Sequence, residues 1–314
     1  MKRVLASICA AALALSLAAC SSTASSSESS SAAEESSSAA STTEESSAAS
    51  DESTGASGSI TVVTREDGSG TRSAFIELTG VETDEGDMTI ATAQVANSTN
   101  NVMTSVQAEP SAIGYISMGS LNETVKGIAV DGVEPTTDNV KAGTYPISRP
   151  FNIVTKGDIS AQDELTQDFV NWVMSADGQA ICTEEGYIGD DAAEAYTSTQ
   201  PSGSLAVGGS SSVSPVMEKL IETYMADVNP NASIDLQTTD STNGVTGALD
   251  GTYNIGMASR AISDDEASQG AVSTQLAMDG IAVIVNTENA VSNISMDSLR
   301  GIYTGEVTDW ADVQ

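Results

Sequence analysis

The chain has 314 residues, with 44 acidic side chains against 11 basic ones and no histidine, for a formal net charge of −33. Without histidine there is no Ser-His-Asp or Cys-His catalytic pair and no His-bound zinc. So acidic a chain argues against nucleic acid and anionic membrane surfaces as partners, and any anion it binds needs a local, desolvated site that overcomes the global field.

The length accommodates one large domain or two lobes. At the start, Lys2 and Arg3 precede an apolar run from Val4 to Leu15 that is too short to span a bilayer, and Leu17-Ala18-Ala19-Cys20 resembles a lipobox. Residues 1–20 read as a lipoprotein signal peptide with Cys20 as the acylated first residue; an ordinary secretory signal with an Ala-rich cleavage site is the alternative. Cleavage removes Cys9 and leaves Cys182 as the only free thiol, so no intrachain disulfide is available. Residues 21–57 are a Ser, Ala, Glu and Thr run without the apolar content to fold, which reads as a disordered tether reaching about 35 Å.

From Gly58 the composition is globular. Ile60-Thr61-Val62-Val63 predicts a strand, Arg65-Glu66-Asp67-Gly68-Ser69-Gly70-Thr71 a turn, and Ala74, Phe75 and Leu78 one face of a helix. A helix start built from Ser, Gly and Thr presents free N–H groups and hydroxyls at the positive end of the helix dipole, which suits an oxyanion. Arg65 at the strand end is placed to fork onto the same anion, and Asp67 is close enough in sequence to support it. Taken alone, such a start is more often an ordinary cap.

Met88 to Val95 predicts a strand, Asn97 to Asn101 the cap of a helix through Val102 and Val106, and Pro110 to Ser117 a turn and strand. A further strand is expected over Val125 to Val130, an extended apolar segment over Tyr145 to Lys156, and one amphipathic helix over Glu164 to Glu185. A polar connection, Gly186 to Ser204, precedes two repeats of the first device. Leu205-Ala206-Val207 leads through Gly208 to Ser214 into a helix opened by Pro215, and Ile234-Asp235-Leu236 leads through Asp240 to Gly244 into a helix through Val245 and Leu249. Ile255 to Arg260 and Met278 to Asn286 are expected strands, and Ile294 to Tyr303 a helix ended by Gly305. Three clusters of Ser, Thr and Gly thus fall at strand ends, where α/β sheets bind ligands, and together they make a donor cage for a tetrahedral oxyanion.

Read together, TREDGSGTRSAF, PSAIGYIS, SRPFNIVTKG, GSSSVSPVMEKL, STNGV, IGMASRAIS, DGIAVIVN and IYTGEVTDW resemble the phosphate-binding proteins of bacterial phosphate ABC transporters, the PstS family. The resemblance covers nearly all of Gly58 to Gln314. It implies an α/β, two-lobed type II periplasmic-binding-protein fold with a hinge. Carried over, Arg65, Ser69, Gly70 and Thr71 match the phosphate-contacting loop of one lobe, and Ser211, Ser212 and Ser241 the contacts of the other. Ser259 stands where many members have an aspartate that accepts the proton of hydrogen phosphate, so rejection of sulfate is less assured. The motif order is circularly permuted relative to the usual family order, and joining Gln314 to Gly58 restores it. The expected lobes are 58–144 plus 279–314, carrying the Arg loop, and 145–278.

The expected function is that of a lipid-anchored extracytoplasmic receptor that binds inorganic phosphate between its lobes and delivers it to an ABC transporter permease. It would act as a monomer, without a cofactor, a metal or an enzymatic activity, anchored to the membrane through Cys20 and without affinity for nucleic acid. The rival readings are a receptor for sulfate, molybdate or tungstate, a phosphate-ester hydrolase with a serine nucleophile, and an adhesive surface lipoprotein.

Overall fold

The computed structural model describes residues 58–313, so the expected signal peptide, Cys20 and the tether lie outside the described residues. Strand β1 (Thr61–Arg65) is buried from Val62 onward, as suits a parallel strand covered on both faces. It feeds helix α1 (Gly70–Thr79), capped by the Ser69 hydroxyl and ended by Gly80 in the left-handed region at φ 70°. A small hairpin, β2 (Glu82–Thr83) and β3 (Gly86–Asp87), leads to the edge strand β4 (Gln94–Ala96). Helix α2 (Thr99–Ala108), β5 (Ala112–Ser117), β6 (Lys126–Val130) and the short α3 (Thr137–Lys141) follow.

The chain then crosses on β7 (Ser148–Lys156) to α4 (Glu164–Val173) and α5 (Ala176–Glu184). Next come β8 (Gly203–Ser210), α6 (Ser214–Thr223), β9 (Ala232–Thr239), α7 (Ser241–Asp250), β10 (Ile255–Ala258) and α8 (Asp264–Ser268). It returns on β11 (Ala271–Val285), the longest strand described, and ends with β12 (Asn293–Ile294) and α9 (Met296–Thr304).

Apart from the separate β2–β3 hairpin, the strands form one hydrogen-bonded path, β4-β1-β5-β11-β7-β10-β8-β9, with β6 beside β11 and β12 beside β6. Strand β11 joins its two ends. Its residues Ile281–Val285 pair antiparallel with β5, whereas Ala271–Gly280 pair antiparallel with β7. Two cores follow this division. One contains Val62 to Ile147 together with Ile281 to Trp310 positions, centred on Phe75 stacked 3.9 Å from Tyr115 with Tyr303 edge-on at 4.7 Å. Such ring contacts each contribute about 1 kcal/mol beyond their buried area. The other runs from Phe151 to Ala277 around Phe169, Trp172 and Tyr224, with a satellite under α7. Cys182 is a buried free thiol in this second core, and burial pushes its pKa up to about 12.

Three elements differ from the sequence expectation. Only Gln94–Ala96 of the segment from Met88 onward is strand. The Ile90 N–H bonds the Tyr303 carbonyl at 2.7 Å and its side chain packs on Gly305, so the segment is held by the end of α9 rather than by a ladder. The helix expected over 164–185 breaks at Met174–Ser175, where the Ser175 hydroxyl donates to the Trp172 carbonyl at 2.6 Å. The following turn presses so close that a Cβ on Gly178 would lie 2.3 Å from the Val173 oxygen. Finally, the strand expected over 278–286 is half of β11. Among the described residues no helix is long and apolar enough to cross a membrane.

Candidate anion-binding site

The site begins at the end of β1. Tyr115 fixes it, accepting the Arg65 N–H at 3.2 Å and sharing a 2.8 Å hydrogen bond with Thr64 Oγ1. The Arg65 side chain is buried and forks onto Glu66, Nε to Oε2 and Nη2 to Oε1, both at 2.7 Å. Its Nη2 also donates to Ser211 Oγ at 3.1 Å, which ties the Arg loop to the turn before α6. Asp67 does not support Arg65 directly. Its carboxylate is fully exposed and takes Arg72 Nη1 at 2.9 Å, while the same Nη1 donates to the Arg65 carbonyl. Asp67 therefore acts on Arg65 only through the backbone, and the direct partner is Glu66.

From the other side, Thr71 Oγ1 lies 2.9 Å from Ser212 Oγ. Thr99 Oγ1, at the start of α2, lies 3.2 Å from Ser212 Oγ and 3.3 Å from Ser211 Oγ. At the end of β10, Ser259 Oγ accepts from Ser210 Oγ at 2.9 Å and lies 3.2 Å from Ser241 Oγ, to which the Ser259 N–H donates at 3.0 Å. Gly70 sits against this group: a Cβ there would come within 2.3 Å of Ser241 Oγ and 2.8 Å of Ser259 Oγ, so only glycine allows the approach. Gly68, at φ 86°, turns its carbonyl to accept both the N–H and the hydroxyl of Thr242. Ser69 is buried beside them, and its Oγ accepts the Arg72 N–H as the cap of α1, a bond that leaves its O–H free to donate.

The structure thus brings Arg65, Gly70, Thr71, Ser211, Ser212, Ser241 and Ser259 together with Thr99 and Ser210, all of the side chains being buried. The sequence reading used Thr99 only as part of a helix cap; its hydroxyl at a helix start was the signal available. Four helices begin here, α1, α2, α6 and α7, from both cores. Each brings the positive end of its helix dipole, roughly half a charge. A cavity of about 210 Å³ borders the cluster at Thr99 and Ser211. Among the described contacts, these hydroxyls meet other hydroxyls, backbone amides and one guanidinium, and no carboxylate that would take a proton from them. The arrangement donates hydrogen bonds to an anion; it lacks the base that turns a serine into a nucleophile.

Two cores joined by crossover strands, with helix N-termini of both facing one polar cluster, define a binding protein of the periplasmic type. The PBP superfamily domain matches residues 31–177 and 194–314, and the chain belongs to that superfamily. It is 46% identical over 266 residues to phosphate-binding protein PstS 2 of Streptococcus agalactiae serotype V, covering 83% of this chain and 90% of the relative. It is 42% identical over 264 residues to phosphate-binding protein PstS 2 of Streptococcus pneumoniae serotype 4, covering 82% and 89%. The crystal structure of a phosphate ABC transporter phosphate-binding protein from S. pneumoniae TIGR4 superposes with a TM-score of 0.66 at 41% identity, covering 82% of this chain and all of that one. The chain is a member of the PstS family.

Proposed function

We propose that this chain is an extracytoplasmic receptor that binds inorganic phosphate in the hydroxyl cage and delivers it to an ABC transporter permease. The observation that carries the reading is the convergence of Arg65, Thr71, Thr99, Ser211, Ser212, Ser241 and Ser259 on four helix N-termini. A phosphate dianion is tolerated in a buried site only when nearly every oxygen accepts hydrogen bonds, and this cluster consists of donors. The names of the streptococcal relatives support the same ligand.

The same proposal takes the lobes as 58–144 plus 279–314 and 145–278, closing about β7 and β11 as a hinge. The two cores support that division in outline, with Tyr145 and Ile147 packed in the first core rather than the second. Gly58 donates to Asp309 Oδ1 and accepts the Trp310 N–H at 3.0 Å, which supports reading the motif order as a circular permutation with its cut within one lobe. Cys20 supplies a lipid anchor, and the receptor works as a monomer at the outer face of the membrane.

Calorimetric titration of the full-length chain, dialysed free of phosphate, tests the ligand. One-to-one phosphate binding that excess sulfate does not displace is expected. Stronger binding of sulfate, molybdate or tungstate would favour a receptor for that oxyanion, for which Ser259 in place of an acid gives the specific reason: a serine can donate to an anion that carries no proton.

A further inference from the structure

Behind the cage lies a buried ion pair that the binding reading leaves unused. Arg149 and Asp279 stand directly opposite each other on the crossover strands β7 and β11. Both are buried, Asp279 completely. Arg149 Nη2 meets Asp279 Oδ2 at 3.2 Å, the guanidinium lies 5.2 Å from the Phe151 ring centroid, and Ser117 Oγ at the end of β5 donates to Asp279 Oδ1 at 2.9 Å. The remaining nitrogen, Nη1, donates to the carbonyl of Ser259 at 3.0 Å.

That carbonyl lies one residue beyond the β10 ladder, whose last pair with β7 is Ala258 with Asn152. It therefore has no strand partner, and Arg149 takes it. The next carbonyl, of Arg260, is held in the same way by Asn152 Nδ2 at 2.8 Å. Ser259 thus has three handles: its N–H on Ser241, its hydroxyl between Ser210 and Ser241, and its carbonyl on Arg149. A guanidinium held between a carboxylate and a ring has little freedom, so it fixes the carbonyl's direction and with it the peptide that carries Ser259.

We propose that Arg149 is a positioning residue of the anion site, aiming Ser259 through its backbone carbonyl, with Asp279 holding the guanidinium in the required orientation. The proposal rests on the oxyanion-receptor reading. It joins β5 of one core, through Ser117, Asp279 and Arg149, to a cage residue of the other, so the crossover and the site form one polar chain.

The test combines Arg149→Lys, the double variant Arg149→Met/Asp279→Leu, Ser259→Ala, and the triple variant, each as the full-length chain titrated with phosphate, sulfate and molybdate and melted in parallel. Replacing a buried pair by apolar residues of similar size often leaves stability close to wild type, but here it also strips the partner from the buried Ser259 carbonyl and the acceptor from the Ser117 hydroxyl, so the double variant is expected to fold with a midpoint a few degrees below wild type. Its phosphate affinity should fall about tenfold, as for the loss of one charge-assisted contact. Arg149→Lys, which cannot serve both partners, should lose affinity in the same direction. The decisive readout is coupling with Ser259: the triple variant should bind only slightly more weakly than Ser259→Ala alone. Losses that multiply, or wild-type affinity in either Arg149→Lys or a folded double variant, would overturn the proposal while leaving the phosphate reading intact. Wild-type protein that binds none of the three anions would overturn both.

Discussion

Arg65 has two carboxylates within two residues of it in sequence and pairs with one. Glu66 takes one guanidinium edge, Nε and Nη2, whereas Asp67 turns to solvent and holds Arg72. Adjacency in sequence made both reachable; the direction of each side chain at the strand end decided, and that is a tertiary fact. The positions of Thr71, Ser211, Ser212 and Ser241 were legible because hydroxyl clusters recur at three strand-to-helix turns and their motifs resemble the family's contact loops, although one such turn alone is more often an ordinary cap. Ser210 belonged to the second of these clusters, and Thr99 needed the fold to show where it faces. These contacts give different expectations for three variants. Arg65→Ala removes the cation and leaves Glu66, half-buried, as an uncompensated negative charge beside the anion. Phosphate affinity should fall about a hundredfold or more, in line with breaking one side of a buried ion pair. Glu66→Gln should bind at least as tightly as wild type, because it removes a like charge, and Asp67→Asn should change little. Calorimetry on the three variants checks the order; equal affinity in Arg65→Ala would remove Arg65 from the site.

At the scale of elements, periodicity located strands and helices but not what interrupts or anchors them. The break between α4 and α5 comes from Ser175 and the close approach at Gly178, neither of which disturbs the apolar pattern. The connection from 186 to 204 reads as polar, yet it is anchored at several points: Ile188 exchanges backbone hydrogen bonds with Met278, and residues 196–199 gather on one carboxylate. Asp168 on α4 accepts from Tyr196 Oη at 2.9 Å, the Thr199 N–H at 2.8 Å, Thr199 Oγ1 at 3.1 Å, Ser198 Oγ at 2.5 Å and Tyr224 Oη at 2.5 Å. Burial alone would raise its pKa, but these donors outweigh burial and lower it. Asp168→Asn loses acceptor capacity where five donors converge and introduces a donor among them. The expected destabilisation is about 2 kcal/mol, lowering the thermal midpoint by roughly 4–8 °C in a domain of this size. Phosphate affinity should be retained, since the anchor lies in the second core away from the cage. An unchanged midpoint, followed by circular dichroism, would mean that the connection is held by its backbone alone.

For the whole molecule, the two-lobed α/β class was legible through the motifs' resemblance to the PstS family, whereas the full length of β11 was not. Only Met278 to Asn286 read as strand, because along β11 alternating exposure in Val272–Gln275 gives way to complete burial from Ile281. Its midpoint residue, Asp279, also sets the pH response. Burial, offset in part by Arg149 and Ser117, pushes the Asp279 carboxyl up to about 6 from an ordinary 3.8. The folded chain therefore takes up this proton before the unfolded chain does. The resulting stabilisation is complete below about 3.8 and is lost as pH rises through about 6. Asp87, Asp163, Asp168 and Glu266 have the opposite sign. Burial tends to raise the three aspartates, but their donors win; the Arg260 guanidinium leads in lowering Glu266. Their stabilisation is present above the ordinary values of 3.8 and 4.5 and fades as pH falls through the lowered ones. Partial neutralisation of a chain carrying −33 adds to the first trend. In phosphate-free buffer at fixed ionic strength, the thermal midpoint should rise from pH 7.5 to about 5 and fall below about 3.8. The rise should be smaller in Asp279→Asn, which has no proton to take up. A midpoint that fell steadily from pH 7 to 5 would show that the buried carboxyl at the crossover stays ionised throughout, with Arg149 as the stronger influence on it than burial.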